Sequence, residues 1–174
     1  VRLAVWNTRP TAALSNNGPV YEGDTVVVTL SNPWDPSSAD REAGFTWLVG
    51  DGRSHEVAAG GSWTTTVIAT HSGIQRVQGT LRDKDGGESL VSTNITVFDV
   101  PPTLTLAGAD RINEDAAYAL QLSADDSGDD VIVRWNVDWG DGKSETVLSA
   151  TASLVHVFVD EGDYVVTVTA TDGD

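Results

Sequence analysis

The sequence repeats itself, and this constrains the architecture more than any single motif does. Four segments recur at a spacing of roughly 90 residues. Val5-Trp6-Asn7-Thr8-Arg9-Pro10-Thr11 matches Val97-Phe98-Asp99-Val100-Pro101-Pro102-Thr103, and each reads as a strand end leading through proline into the next strand. Glu22-Gly23-Asp24, followed by alternating Val26, Val28 and Leu30, matches Glu114-Asp115, followed by Tyr118, Leu120 and Leu122. Both read as a turn that feeds a strand. Residues 45–52 match residues 135–142, with large apolar side chains at every second position ahead of Gly50-Asp51-Gly52 and Gly140-Asp141-Gly142. A period of two means one buried face. Residues 73–83 match 162–172, where Tyr164, Val166, Val168 and Ala170 alternate with Val165, Thr167, Thr169 and Thr171 in the clearest strand of the chain.

No stretch carries apolar residues at helical spacing, and Gly, Pro, Asn-Gly and Asp-Gly punctuate the chain about every ten residues. The predicted class is all-β. A period of roughly 90 residues is one sandwich module rather than one turn of a solenoid, so 174 residues hold two. We expect two tandem antiparallel β-sandwiches of about seven or eight strands each, residues 1–98 and 99–174, joined near residues 98–102. The first residues already alternate as a strand (Val1, Leu3, Val5) and no Met is present, which reads as an internal piece of a longer protein.

Charge narrows the partners. Ten basic against 26 acidic residues give a formal charge of −16, which repels phosphate backbones and anionic lipid. Nucleic acid is therefore not an expected partner, and no apolar run is long enough for membrane insertion. The absence of Cys removes disulfides, thiol catalysis and thiolate metal sites. An acidic, Thr-rich, Lys-poor surface suits an extracellular or cell-surface setting.

The motifs resemble a known family. An aromatic residue, then a hydrophobic, acidic and aromatic run into Gly-Asp-Gly, then His-x-aromatic-x-x-x-Gly-x-Tyr, is similar to the PKD (polycystic kidney disease) repeat. Trp135, Val137, Asp138, Trp139, Gly140, Asp141 and Gly142 carry the first motif, and His156, Phe158, Gly162 and Tyr164 the second, with Asp172 at the family's terminal Asp. The first module diverges. Leu48 stands at an Asp position, and Val67, Ala69 and Gln75 replace the His, aromatic and Tyr. The resemblance implies an immunoglobulin-like sandwich serving as a non-catalytic spacer, binding or adhesion repeat in a large secreted or cell-surface protein. Its neighbours along the chain would be further repeat modules. An alternative is an accessory module of a secreted hydrolase that binds polysaccharide or protein.

Three residue sets are candidates for chemistry. Asp51 and Asp141, flanked by glycine, read as turn residues whose carboxylates accept backbone N–H groups. Asp125, Asp126 and Asp129 crowd one short loop, and Asp99, Asp115 and Asp172 are expected near module ends. Such oxygen clusters suit Ca²⁺, which takes six to eight oxygen ligands in irregular geometry. The first module offers a thinner set, Asn7, Asp35 and Asp83 among them. Trp6, Trp34 and Trp63 fall outside the expected core positions and are candidates for contact with a sugar or a partner. Trp6 is the expected contact between modules. His55, His71 and His156 occupy unrelated repeat positions, so no zinc site and no catalytic residues are expected.

Overall fold

The computed structural model describes residues 1–49, 53–128 and 130–173. It divides into two compact units, Val1–Phe98 and Asp99–Asp174.

Unit 1 contains β1 (Thr11–Asn16), β2 (Val20–Tyr21), β3 (Thr25–Trp34), α1 (Ser38–Ala43), β4 (Phe45–Val49), β5 (Ser54–Val57), β6 (Ser62–Ile68), β7 (Gly73–Arg82) and β8 (Glu88–Phe98). One sheet has the order β1-β3-β6 and the other β2-β8-β7-β4-β5. All pairs are antiparallel except β2 with β8. The β-branched run of β3 puts Val26, Val28 and Leu30 on one face, each at most 2% exposed. Burying such a side chain contributes about 1.5–3 kcal/mol, so this one face anchors the unit. Val26 and Val28 meet Ile95 and Val97 of β8, while Leu30 meets Phe45, Trp47, Val57 and Leu81.

Unit 2 contains β9 (Thr103–Ala107), β10 (Ala117–Asp125), β11 (Arg134–Asp138), β12 (Ser144–Leu148), β13 (Ser153–Val157) and β14 (Thr167–Thr171). Its sheets are ordered β13-β10-β9 and β12-β11-β14. Leu120, Leu122, Trp135, Val137, Trp139, Leu154 and Phe158 form its core. Both units are thus antiparallel β-sandwiches. Among the described residues, no helix is long and apolar enough to cross a membrane.

Pairing partners agree with the match of residues 22–30 to 114–122 and revise that of residues 45–52 to 135–142. Val26 faces Val67 as Tyr118 faces His156. Gly23 N–H donates to Ala69 C=O at 2.8 Å, as Asp115 N–H donates to Phe158 C=O at 2.8 Å. Trp47, however, faces Leu81 and Trp135 faces Ala170. The structural counterpart of Trp135 is therefore Trp47, not Phe45, and the second module inserts two residues, Trp139 included, before its turn. Counting back from Gly-Asp-Gly hid this, because a shift of two keeps the same face buried.

Three further expectations change. α1 was not foreseen. It is a six-residue helix whose Ser37 cap accepts the Asp40 N–H, too short to show a helical period. The strand expected over residues 162–172 is laddered only from Thr167, and its first half has no ladder partner among the described residues. Unit 2 has six described strands, where seven or eight were expected.

Candidate functional site

The Gly-Asp-Gly turn of unit 2 is fastened to β13. Asp141 Oδ1 accepts the Lys143 N–H at 3.0 Å, as expected for a turn aspartate, and Asp141 Oδ2 lies 2.9 Å from His156 Nε2. The His156 ring stacks on Trp139 at 4.5 Å and 6°, and Phe158 meets it edge-on at 4.7 Å. Trp139 is 1% exposed, and its Nε1–H donates to Glu145 at 3.0 Å. The motif residues His156, Asp141 and Trp139 thus form one packed cluster. Its geometry mimics a catalytic base with its orienting carboxylate. Here, though, the ring nitrogen that faces Asp141 is used within the fold, and the imidazole is enclosed by aromatic rings. The cluster fastens the hairpin turn to β13.

The His156 hydrogen bond, opposed by burial and aided by Lys143, holds the Asp141 carboxyl below its ordinary 3.8, at about 2. A carboxyl depressed in the folded state contributes stability that is complete above the unfolded value and disappears as pH falls through the folded one. The melting temperature should therefore drop on acidification from 3.8 toward about 2. The Asp141→Asn variant should show a shallower drop over the same window, and equal slopes in thermal melts would remove Asp141 as the cause.

At the other end of the sequence, residues 1–10 carry no strand or helix, yet Asn7 is anchored. Its Nδ2 donates to Asp83 Oδ1 at 3.2 Å and Oδ2 at 3.1 Å. Asp83 is 4% exposed and also accepts the N–H groups of Asp85 and Gly87, at 2.9 and 2.8 Å, in the β7–β8 turn. Asp35 is fully buried, with Oδ1 accepting the Ser37 N–H at 2.8 Å and Oδ2 without a partner. Asp40, also buried, meets Lys84 Nζ at 3.3 Å. Burial alone would raise its carboxyl, but hydrogen bonds from Ser37 and Lys84 hold it lower than usual. This end of unit 1 is built from carboxylates that organise backbone and one ammonium group.

The remaining candidates are dispersed. Asp99, Asp115 and Asp125 are exposed, while Asp126 and Asp172 are half-buried. Asp126 accepts the N–H of Ser127. Asp115 has φ 58° where Gly23 has 79°, so it is a turn residue in the left-handed region. Gly50, Asp51, Gly52 and Asp129 lie outside the described residues. Among the described residues, no three His, Asp or Glu side chains converge as a metal site. Trp6 is 87% exposed, Trp34 half-exposed with Arg41 5.5 Å from its ring centre, and Trp63 packed against the core beside His55.

One equivalence was not drawn from the sequence. Tyr164 Oη–H donates to Asp160 C=O at 3.0 Å, and in unit 1 Gln75 Nε2–H donates to His71 C=O. An amide thus takes over the bond of the phenol that ties the strand to the preceding corner. The match of Gln75 to Tyr164 in the repeat was the available signal.

Residues 99–174 match the family model of the PKD domain. No curated protein matches the chain. Among solved structures, the fibronectin(III)-like modules of Clostridium thermocellum CbhA are 19% identical over 91% of this chain and 85% of theirs, with a TM-score of 0.37. Dimeric latent PorU from Porphyromonas gingivalis is 14% identical over 95% of this chain and 20% of its own, with a TM-score of 0.35.

Proposed function

We propose, from the premise that residues 99–174 are a PKD domain, that the chain is a non-catalytic pair of sandwich repeats acting as a spacer in a secreted or surface-anchored multi-domain protein. The observation that carries this reading is the bond of Asn7 to Asp83. A spacer transmits position only if the segment entering each module is fixed to it. Asn7 fixes that segment to the β7–β8 turn of unit 1, and its repeat counterpart Asp99 stands at the entry to unit 2.

Calcium is the ligand proposed for these module ends. The donor set fits in part. Asp35 Oδ2 is a buried acceptor that a cation would satisfy, and a turned Asn7 amide would offer its oxygen in place of its N–H₂. Asp83 Oδ1, by contrast, already accepts three N–H groups. When bound, the ion would supply the positive charge that lets neighbouring carboxylates approach one another. In small-angle scattering, calcium should lengthen the maximum dimension of the chain relative to EDTA. An unchanged dimension, together with no heat on titrating CaCl₂ in calorimetry, would remove calcium from the proposal.

A further inference from the structure

Asn17-Gly18 is the one Asn-Gly pair in the sequence, and it lies in the connection between β1 and β2. A glycine after asparagine has no Cβ to keep its main-chain nitrogen away from the asparagine side chain. Asn17 is exposed, and two hydrogen bonds order the pair. Asn17 Oδ1 accepts the Val27 N–H at 2.8 Å, and the Gly18 N–H donates to Asn16 Oδ1 at 2.8 Å. Asn16 is stitched to the opposite sheet, because its Nδ2 donates to Thr93 Oγ1 and to the Asn94 C=O, both at 2.9 Å. The residues around Asn17 thus tie β1 and β3 of one sheet to β8 of the other.

These contacts bear on the two halves of an intramolecular reaction. The Val27 N–H polarises the Asn17 side-chain carbonyl and stands at donor distance from Oδ1, where an oxyanion would form. The nucleophile is the Gly18 nitrogen. Its bond to Asn16 favours the protonated amide and so opposes loss of the proton that must leave before attack. Val27 therefore supports the reaction and Asn16 restrains it. Asp141, also followed by glycine, does not compete at neutral pH: His156 and Lys143 hold its carboxyl ionised, and a carboxylate is a poor electrophile.

We propose that Asn17 is a site of spontaneous covalent modification, converting to aspartate and isoaspartate through a cyclic imide closed by Gly18. The Gly18 nitrogen gives its proton to hydroxide and bonds to Asn17 Cγ. The Cγ–Nδ2 bond breaks, and ammonia leaves with a proton taken from water. Water then opens the ring at either carbonyl, and each product carries one more negative charge than asparagine. Opening at the side-chain carbonyl gives aspartate, which keeps the chain path and an oxygen for the Val27 N–H. Opening at the main-chain carbonyl gives isoaspartate, which routes the chain through the side chain and adds a backbone carbon between residue 17 and Gly18. That carbon falls inside the span bridged by the Asn16 bond to Gly18, so isoaspartate loosens the tie between the sheets whereas aspartate keeps it.

The test ages the 174-residue chain in warm, mildly alkaline buffer and follows it by peptide mapping and by enzymatic methylation of isoaspartate. Conversion should map to Asn17 at a rate about tenfold or more above that of every other asparagine, none of which precedes glycine. Asn16→Ala should convert severalfold faster. Asn16→Asp should convert more slowly than wild type, because a carboxylate holds the Gly18 N–H more tightly than an amide does. Mere loosening of the loop would speed both. The aged wild type, a mixture of the two acids, should melt several degrees below the Asn17→Asp variant, which should melt with fresh wild type. Conversion that is absent at Asn17 or no faster there than elsewhere overturns the proposal. So do Asn16 variants that change the rate in the same direction, and an aged chain that melts with Asn17→Asp. None of these readouts involves calcium, so the spacer reading stands or falls separately.

Discussion

Replacing Trp135 by Ala should destabilise unit 2 by about 3–5 kcal/mol, the usual cost of deleting a large aromatic from a closed core. Trp135 is 3% exposed and packs among Leu120, Leu122, Val137 and Leu154. Chemical denaturation followed by near-ultraviolet circular dichroism should then show two transitions, with that of unit 1 unmoved. Trp135→Phe is the informative companion. Trp135 Nε1 is buried with no hydrogen-bond partner, so the shorter ring gives up area but also removes an unsatisfied donor. It should cost less than about 1.5 kcal/mol. A large loss with Phe would mean that the indole nitrogen has a bonding role. Trp47, the counterpart in unit 1, also has a buried Nε1 without a partner, so its conservative substitution should behave alike.

Gly79→Ala should be nearly as disruptive in unit 1, at about 1–3 kcal/mol or more, because it overpacks a site with no slack. A Cβ at Gly79 would sit 2.5 Å from two Trp47 ring carbons and 2.6 Å from the Leu48 carbonyl oxygen. The ring is 1% exposed and the oxygen belongs to a central strand, so neither can withdraw cheaply. The comparison with unit 2 sharpens the point. The counterpart of Gly79 is Val168, which packs against the core there, so a repeat alignment would recommend valine at a place where unit 1 has no room for a methyl group. A variant that folds with wild-type stability would show that Trp47 can leave its rotamer.

Much of the architecture was legible because a sandwich strand writes its burial in alternate residues. Val26, Val28 and Leu30, and likewise Leu120 and Leu122, were read correctly as inward-facing. What the pattern did not convey was anything settled by a partner strand. The Tyr164 and Val166 alternation is present in sequence whether or not a neighbouring ladder forms, and the two-residue offset of Trp47 against Trp135 leaves the alternation intact. The site was less legible still. Asp141 was recognised as a turn residue from its flanking glycines, but its tie to His156 spans 15 residues and depends on the β13 register. Asn7 and Asp83 were paired only as members of one acidic end, and their contact depends on chain crossing 76 residues apart. Trp63 looked exposed beside two glycines because its neighbours in sequence say nothing of His55, which β5 brings against it.

The bond between Asn7 and Asp83 has a mechanical consequence. Tension applied ahead of residue 7 does not reach β1 first. It enters the unit through the Asn7 amide at the β7–β8 turn, and three residues later through Pro10, which is buried. The load is thus shared between the two sheets, since β1 belongs to one and β7 and β8 to the other. If the chain bears load as proposed, this side-chain clasp would be expected to yield before the paired strands, releasing the few residues between Asn7 and Pro10.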